Sequence, residues 1–192
     1  MKKKISPIIL MLLIISPLSI SSNNYRLISD SSSLSFTVIR GKYFLDPASI
    51  TSLSGILDMN GEFALSFDLN SIQTGIPIQG ARIAEFFFNS KLFSEVLVTG
   101  KIDLSKISDI PQKIIIPARV SMYKSSKTIL FQIIAEKIND YIIVSSSFPI
   151  IINSQDFGIP RKNLNMLAAT VGGIDISDTV PVFFTLVFKK DH

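Results

Sequence analysis

Three observations predict an all-β domain of about eight antiparallel strands with a short helix inserted between them. Apolar and polar residues alternate along most of the chain after residue 25, which places apolar side chains on one face of each strand. Polar turn sequences separate these runs at the spacing of an antiparallel domain. One stretch, 79–93, instead has apolar residues at helical spacing. The 192 residues are enough for one such domain.

The alternating runs predict which residues face the inside of the sheet. Asn60-Gly61 predicts a tight hairpin after the run 56–59, and polar breaks at 123–127 and 139–140 separate later strands. The inward residues are Leu34, Phe36 and Val38; Phe63, Leu65, Phe67 and Leu69; Val96, Val98, Ile102 and Leu104; Ile114, Ile116, Ala118, Val120 and Met122; Ile129, Phe131, Ile133 and Ala135; and Val180, Val182, Phe184, Leu186 and Phe188.

Two stretches interrupt the alternation. In Gln79–Phe93, residues Ala81, Ala84 and Phe88 follow helical spacing, and Pro77 suits the turn that leads into a short helix. The stretch 153–173 contains no clear period and is long for a connection, so we expect a functional or flexible loop there.

The first 23 residues predict a secretory signal peptide. Lys2-Lys3-Lys4 precede the apolar run 8–15, and small polar residues follow, with cleavage expected near Ser21. The run is short for a transmembrane span of about 20 residues, although an uncleaved membrane anchor is the alternative. No cysteine follows the run, which excludes a lipid-anchored lipoprotein. We therefore expect a periplasmic or secreted protein with one domain over residues 24–190.

Composition argues against most catalytic chemistry. The chain has no cysteine, and its single histidine, His192, is the last residue, a poor position for a catalytic triad or a metal ligand. Without the three N-terminal lysines the net charge falls from +4 to +1, which does not fit a nucleic-acid-binding surface. We expect no catalytic residues, no metal and no cofactor.

The inward residues suit an apolar ligand. A barrel of about eight antiparallel strands has an interior that side chains just fill or that holds one small ligand. Because the inward set is rich in Phe, Leu, Ile and Val, binding would come mainly from apolar area, at roughly 25 cal/mol per Å². A long-chain lipid is the expected ligand.

Five segments follow one another in a fixed order over nearly all of residues 25–190. They are Tyr25–Val38 with its Leu-Ser-Phe-Thr-Val strand, Phe67–Gly75 with Ser-Ile-Gln-Thr, Ala84–Phe87, Asn153–Ile159 with Asp-Phe-Gly-Ile, and Ile176–Val180 with Ser-Asp-Thr-Val. In this order they resemble the YceI-like family, the polyisoprenoid-binding proteins of the bacterial cell envelope. The chain departs from the family pattern where Pro77-Ile78-Gln79-Gly80 replaces an Arg-Asp-x-His stretch.

The resemblance implies an elongated, lipocalin-like antiparallel eight-stranded barrel. Its central tunnel would hold an isoprenoid, such as a quinone or a polyprenyl phosphate, or a fatty acid derivative. Phe86, Phe87 and Phe157 would close the mouth. The implied tunnel lining is Phe36, Val38, Phe63, Leu65, Phe67, Leu69, Phe86, Phe87, Val96, Val98, Ile102, Met122, Phe131, Ile133, Phe157, Val182 and Phe184.

The function that follows is non-catalytic binding, transport or storage of a long apolar lipid in the cell envelope. We expect no nucleic-acid partner and no stable membrane span after signal cleavage, and a homodimer is left open. Three alternatives stand beside this reading. They are a surface interaction protein with a filled core and no lipid, a small outer-membrane barrel, which the lack of Trp disfavours, and an enzyme with a lipid head group beside Asp156 or Arg161.

Overall fold

The computed structural model describes residues 24–191, so the predicted signal peptide lies outside the described residues. This part of the chain forms one antiparallel sheet of twelve strands. The strands are β1 (Tyr25–Leu27), β2 (Ser33–Arg40), β3 (Phe44–Ile50), β4 (Leu53–Leu57), β5 (Glu62–Asp68), β6 (Ile72–Thr74), β7 (Glu95–Lys101), β8 (Gln112–Met122), β9 (Ser125–Ile138), β10 (Tyr141–Ser146), β11 (Ile150–Asn153) and β12 (Thr179–Lys190).

The sheet closes on itself as an eight-stranded barrel. Four strands of the barrel are bent, and each appears as two consecutive segments that share a neighbouring strand. These pairs of segments are β1 with β2, β3 with β4, β5 with β6, and β10 with β11. Each of the eight strands so defined pairs with the next along the chain, and the last, β12, pairs with the first, with Tyr25 opposite Lys190 and Phe36 opposite Val182. The predicted eight-stranded antiparallel barrel is confirmed.

Tight turns connect the strands at the predicted places. Gly61 follows Asn60 with a φ of 82°, and a Cβ at this position would lie 1.8 Å from the carbonyl oxygen of Ile102. Only glycine fits there, because the left-handed backbone and the close approach both exclude a side chain. Tyr123 and Asn139, with φ values of 57° and 52°, form the turns on either side of β9.

Helices cover one end of the barrel. Helix α1 (Pro77–Arg82) continues as a single π-helical stretch, Ile83–Phe88, and Asn89 ends it with a φ of 52°. The predicted helix 79–93 therefore exists but begins two residues earlier and ends five residues sooner. A second helix, α2 (Arg161–Ala169), lies within 153–173, so the expectation of an irregular loop there is wrong. Between Pro160 and Gly172, only Leu164 and Leu167 supply buried apolar side chains to α2, too few for a visible helical period.

Candidate functional site

A continuous apolar cavity occupies the interior of the barrel. Its volume is about 210 Å³, and residues from every strand of the barrel line it. A cavity needs about 10–15 Å³ to hold one water molecule, so this space has room for roughly fifteen water-sized groups. Because nearly all of the lining is aliphatic or aromatic, the cavity matches a hydrocarbon chain rather than a polar molecule.

The alternation of strand residues builds the wall of this cavity. On β5, Phe63, Leu65 and Phe67 face inward, whereas Ala64 is exposed on the outer surface. The pairing register continues the wall sideways, since Leu65 lies opposite Val98 on β7. The two-residue period of each strand therefore places apolar side chains side by side on neighbouring strands.

Two pairs of aromatic side chains form part of the cavity wall. The rings of Phe131 on β9 and Phe184 on β12 lie with centroids 6.2 Å apart across the bend between β10 and β11. Within the π-helical stretch, the rings of Phe87 and Phe88 pack edge to face with centroids 4.7 Å apart. Such pairs have defined geometry, so they shape the space as well as fill it.

The helical segments form part of the cavity wall at one end of the barrel. Ile83, Phe87 and Phe88 from the π-helical stretch meet Leu164 and Leu167 from α2 on the cavity wall. The amide of Asn163, which is 4% exposed, donates a hydrogen bond of 2.9 Å to the carbonyl oxygen of Phe87. This bond fixes α2 against the π-helical stretch and satisfies a buried polar group.

Every residue of the implied tunnel lining lies on the cavity wall except Phe86 and Phe157. Phe86 is half-buried and belongs to neither the wall nor the main core. Phe157 is fully buried in the core, in a short 3₁₀ turn (Ser154–Phe157) next to the barrel. Of the three phenylalanines expected to close the mouth, only Phe87 contacts the cavity. The ligand-binding role of the whole set stays a prediction.

The wall also includes residues that the sequence reasoning did not place in the tunnel. Leu186 and Phe188 continue the predicted inward set of β12, and their alternation was the available signal. Phe88 follows Phe87 on the wall because the π-helical stretch turns it inward. Five more wall residues were predicted to face inward, and they are Leu34, Ile116, Ala118, Val120 and Val180. The other apolar additions come from β3, β4, β6, β10, β11, the π-helical stretch, α2 and the loops on either side of α2, and they are Ile50, Leu57, Ile72, Ile83, Val144, Ile150, Ile152, Ile159, Leu164, Leu167 and Ile176.

Three polar residues, Ser154, Ser177 and Asp178, line the cavity near the start of β12. Asp178 accepts hydrogen bonds from the Gln155 side-chain amide at 2.8 Å and from the Thr179 hydroxyl at 3.0 Å. The Ser177 hydroxyl donates to the carbonyl oxygen of Thr179 at 2.8 Å. These groups are occupied in ordering their own loop, which is the structural use of such residues at a strand start.

A salt bridge lies close to the same end. The Arg40 guanidinium donates two hydrogen bonds to the Asp46 carboxylate across β2 and β3, and its Nη2 lies 3.0 Å from Oδ1. This hydrogen bonding lowers the pKa of Asp46 and raises the pKa of Arg40. Among residues 24–191, no group of three or more histidine or carboxylate side chains could hold a metal ion.

A closed antiparallel barrel around an apolar cavity defines the lipocalin-like class of architecture. No protein-family model and no curated protein matches the sequence. Solved structures do match. A polyisoprenoid-binding domain from Saccharophagus degradans, implicated in plant cell wall breakdown, aligns at a TM-score of 0.81 with 24% identity, over 88% of this chain and 99% of that domain.

Two further structures match at lower similarity. BcnA of Burkholderia cenocepacia aligns at a TM-score of 0.64 with 12% identity, over 84% of this chain and 98% of its own. A mutant of the Campylobacter jejuni YCEI protein aligns at 0.51 with 12% identity, over 76% of this chain and 84% of that one. The chain therefore has the fold of the YceI-like barrels, as the resemblance in its sequence implied.

A helix that crosses a membrane needs about 20 apolar residues. In the described part of the chain, neither α1 nor α2 is long and apolar enough to cross a bilayer.

Proposed function

We propose that this chain is a member of the YceI-like family that binds a long apolar lipid inside its barrel and catalyses no reaction. The observation that carries the proposal is the continuous apolar cavity within a closed barrel. The fold supports it, because the S. degradans domain of the same fold is a polyisoprenoid-binding domain. Transport or storage of the lipid in the cell envelope, after export directed by residues 1–23, is part of the same proposal.

The cavity suits a single hydrocarbon chain, isoprenoid or acyl. A space for roughly fifteen water-sized groups with an almost wholly apolar wall can take one hydrocarbon chain. Burial of each methylene stabilises the complex by about 0.8 kcal/mol, so ten buried methylenes contribute about 8 kcal/mol before the chain loses its conformational freedom. Affinity therefore depends on chain length far more than on polar contacts.

Two of the alternatives, a filled core and an enzyme, find no support in the cavity. A filled core is not what the barrel contains, because the cavity runs between the inward side chains. Asp156, one residue considered for an enzyme, forms a salt bridge with Lys127 at 2.6 Å, and neither Asp156 nor Arg161 lines the cavity.

The test is to fill the cavity by mutation and to measure the lipid. Ala118 is buried on the cavity wall, so Ala118→Leu would occupy part of the space, whereas Ala64→Leu makes the same change on the outer surface. Protein purified without detergent is analysed by native mass spectrometry and by extraction of bound lipid. We expect wild type and Ala64→Leu to carry a prenyl or acyl lipid, and Ala118→Leu to carry at least fivefold less while it stays folded.

Two results would reject this function. One is that wild-type protein never carries such a lipid and does not take one up from added farnesol or oleate. The other is that Ala118→Leu binds lipid as well as Ala64→Leu does. Export is tested separately, by the N-terminal sequence of protein recovered from cells, which we expect to begin near residue 22–24.

A further inference from the structure

Six exposed apolar residues surround one end of the barrel. The tip of the β2–β3 hairpin carries Tyr43, Phe44 and Leu45, which are 87%, 58% and 66% exposed. Ile76 and Ile78, at the start of α1, and Ile174, in the loop before β12, are exposed as well. We name these residues, Tyr43, Phe44, Leu45, Ile76, Ile78 and Ile174, the apolar rim.

Backbone pairing brings the three segments of the apolar rim together. Gly41 donates a hydrogen bond of 2.6 Å to the carbonyl oxygen of Asp175, and Arg40 pairs with Ile176, so the hairpin tip lies against the loop that carries Ile174. On the other side, Thr74 of β6 pairs with Ala48 of β3. Since the two strands are antiparallel, the chain beyond Thr74 runs toward the hairpin tip and places Ile76 beside it.

The apolar rim lies close to the cavity wall. Val38, on β2 before the tip, and Ile176, two residues after Ile174, both line the cavity. The rim is therefore at the end where the cavity wall reaches the loop before β12. Isolated exposed apolar residues need no explanation, but a cluster over three segments marks an interaction surface.

The charges at the tip favour a phospholipid surface. Arg40 and Asp46 neutralise each other, and the Arg40 guanidinium also lies 5.7 Å from the ring centre of Phe44. Lys42, at the tip itself, makes no ion pair with any residue of the described range 24–191. Tyr and Phe beside an unpaired Lys form the composition that settles at a bilayer interface, where rings reach the acyl boundary and the ammonium meets phosphate.

We propose that the apolar rim docks the barrel on an anionic phospholipid bilayer, from which the cavity takes its lipid. This inference rests on the proposed function. A long lipid does not cross water readily, because each methylene favours the bilayer over water about fourfold. A binding protein that touches the bilayer beside its own cavity lets the chain move between two apolar environments.

The sequence offers a sharp probe because it contains no Trp. Tyr43→Trp places a single fluorophore in the apolar rim, and Leu130→Trp places one on the outer wall of β9, where Leu130 is 68% exposed. Both variants are made in the full chain, so any effect of residues 1–23 is common to both. Each is mixed with vesicles of phosphatidylcholine and phosphatidylglycerol, with and without brominated acyl chains.

We expect Tyr43→Trp emission to shift to shorter wavelength on vesicles and to be quenched by brominated lipid, and Leu130→Trp emission to do neither. In the Tyr43→Trp background, Phe44→Ser with Leu45→Ser should lower vesicle affinity at least tenfold, and Lys42→Gln about fivefold. Equal responses at positions 43 and 130, or none at position 43, overturn the inference. A concentration-dependent shift of Tyr43→Trp without vesicles also overturns it, since that result assigns the rim to a second copy of the chain.

The two proposals fail differently. If the protein binds lipid in native mass spectra but Tyr43→Trp does not respond to vesicles, only the docking inference is lost. If no variant carries or takes up lipid, the proposed function is lost whatever the vesicles show. Serine variants of the apolar rim should keep bound lipid, because none of the three substituted tip positions lines the cavity.

Discussion

Phe67 and Ala64 lie on the same strand and face opposite sides of the barrel wall. Phe67 is 6% exposed and lines the cavity, whereas Ala64 faces solvent. Phe67→Asp would bury a carboxylate without a partner, so we expect a loss of at least ~3 kcal/mol in the free energy of unfolding, or failure to fold. Ala64→Asp should stay within about 1 kcal/mol of wild type. Urea denaturation followed by circular dichroism measures both, and equal stability of the two variants would contradict the strand phase.

The Arg40–Asp46 salt bridge predicts a pH dependence. Because the hydrogen bonds from Arg40 lower the pKa of Asp46 in the folded state, the pair stabilises the fold above the ordinary carboxyl pKa of about 3.9 and loses this effect as the pH falls through the lower folded value. We expect wild type to exceed Asp46→Asn by about 1 kcal/mol at pH 6 and by almost nothing near pH 2. Urea melts at the two pH values decide this, and an unchanged difference would mean that the pair does not titrate as described.

Phe86, Phe87 and Phe88 show that a sequence does not reveal which of three adjacent side chains faces the cavity. The family resemblance implied that Phe86 and Phe87 contact the cavity, and of these two only Phe87 does. The choice between Phe86 and Phe88 depends on the π-helical turn, which adds one residue to the helical period. No composition signal marks that insertion, so the sequence could not decide between them.

At the scale of elements, Gly80 sets the position of α1 on the barrel. A Cβ on Gly80 would lie 2.2 Å from the carbonyl oxygen of Ile72 on β6. Gly80→Ala must therefore push α1 away from the strand, and we expect a loss of about 1–3 kcal/mol. Gly75→Ala is the control, because no atom lies within 4 Å of its added methyl group and we expect a change below about 1 kcal/mol. Thermal melts of both variants test this, and similar melting temperatures would refute the close approach.

Strands with clean alternation could be predicted from the sequence, whereas β3 and β10 could not. β5, β7, β8, β9 and β12 show the two-residue period because one face meets the apolar interior and the other meets water. β3 contains Pro47 and Asp46, and β10 contains the unbroken run Ile142-Ile143-Val144, so neither shows alternation. Their places are set by pairing with distant strands, which a local pattern does not contain.

For the whole molecule, the presence of a cavity could not be predicted from the sequence. The same inward residues could fill an eight-stranded barrel or surround an empty space, since the outcome depends on barrel shape and side-chain packing. The pattern supplied the lining, and the family resemblance supplied the expectation of a tunnel. The structure shows the space itself.

An occupied cavity should raise the melting temperature of the barrel. A ligand at a hundred times its Kd stabilises the folded state by about 2.7 kcal/mol, which corresponds to about 5–10 °C for a domain of this size. We expect delipidated wild type to gain this shift when a long-chain alcohol or fatty acid is added from a cyclodextrin carrier. Ala118→Leu should gain little, and calorimetry that finds the same shift in both proteins would place binding outside the cavity.

The seam between the first strand and the last joins residues 155 positions apart, as where the Val187 amide donates to the Ser32 hydroxyl. A growing chain that lacks β12 is an open sheet with two unpaired edge strands, and such edges promote aggregation. Enclosure is thus a property of the finished polypeptide. The interior can be enclosed only after β12 has been synthesised, so both edges stay unpaired until then.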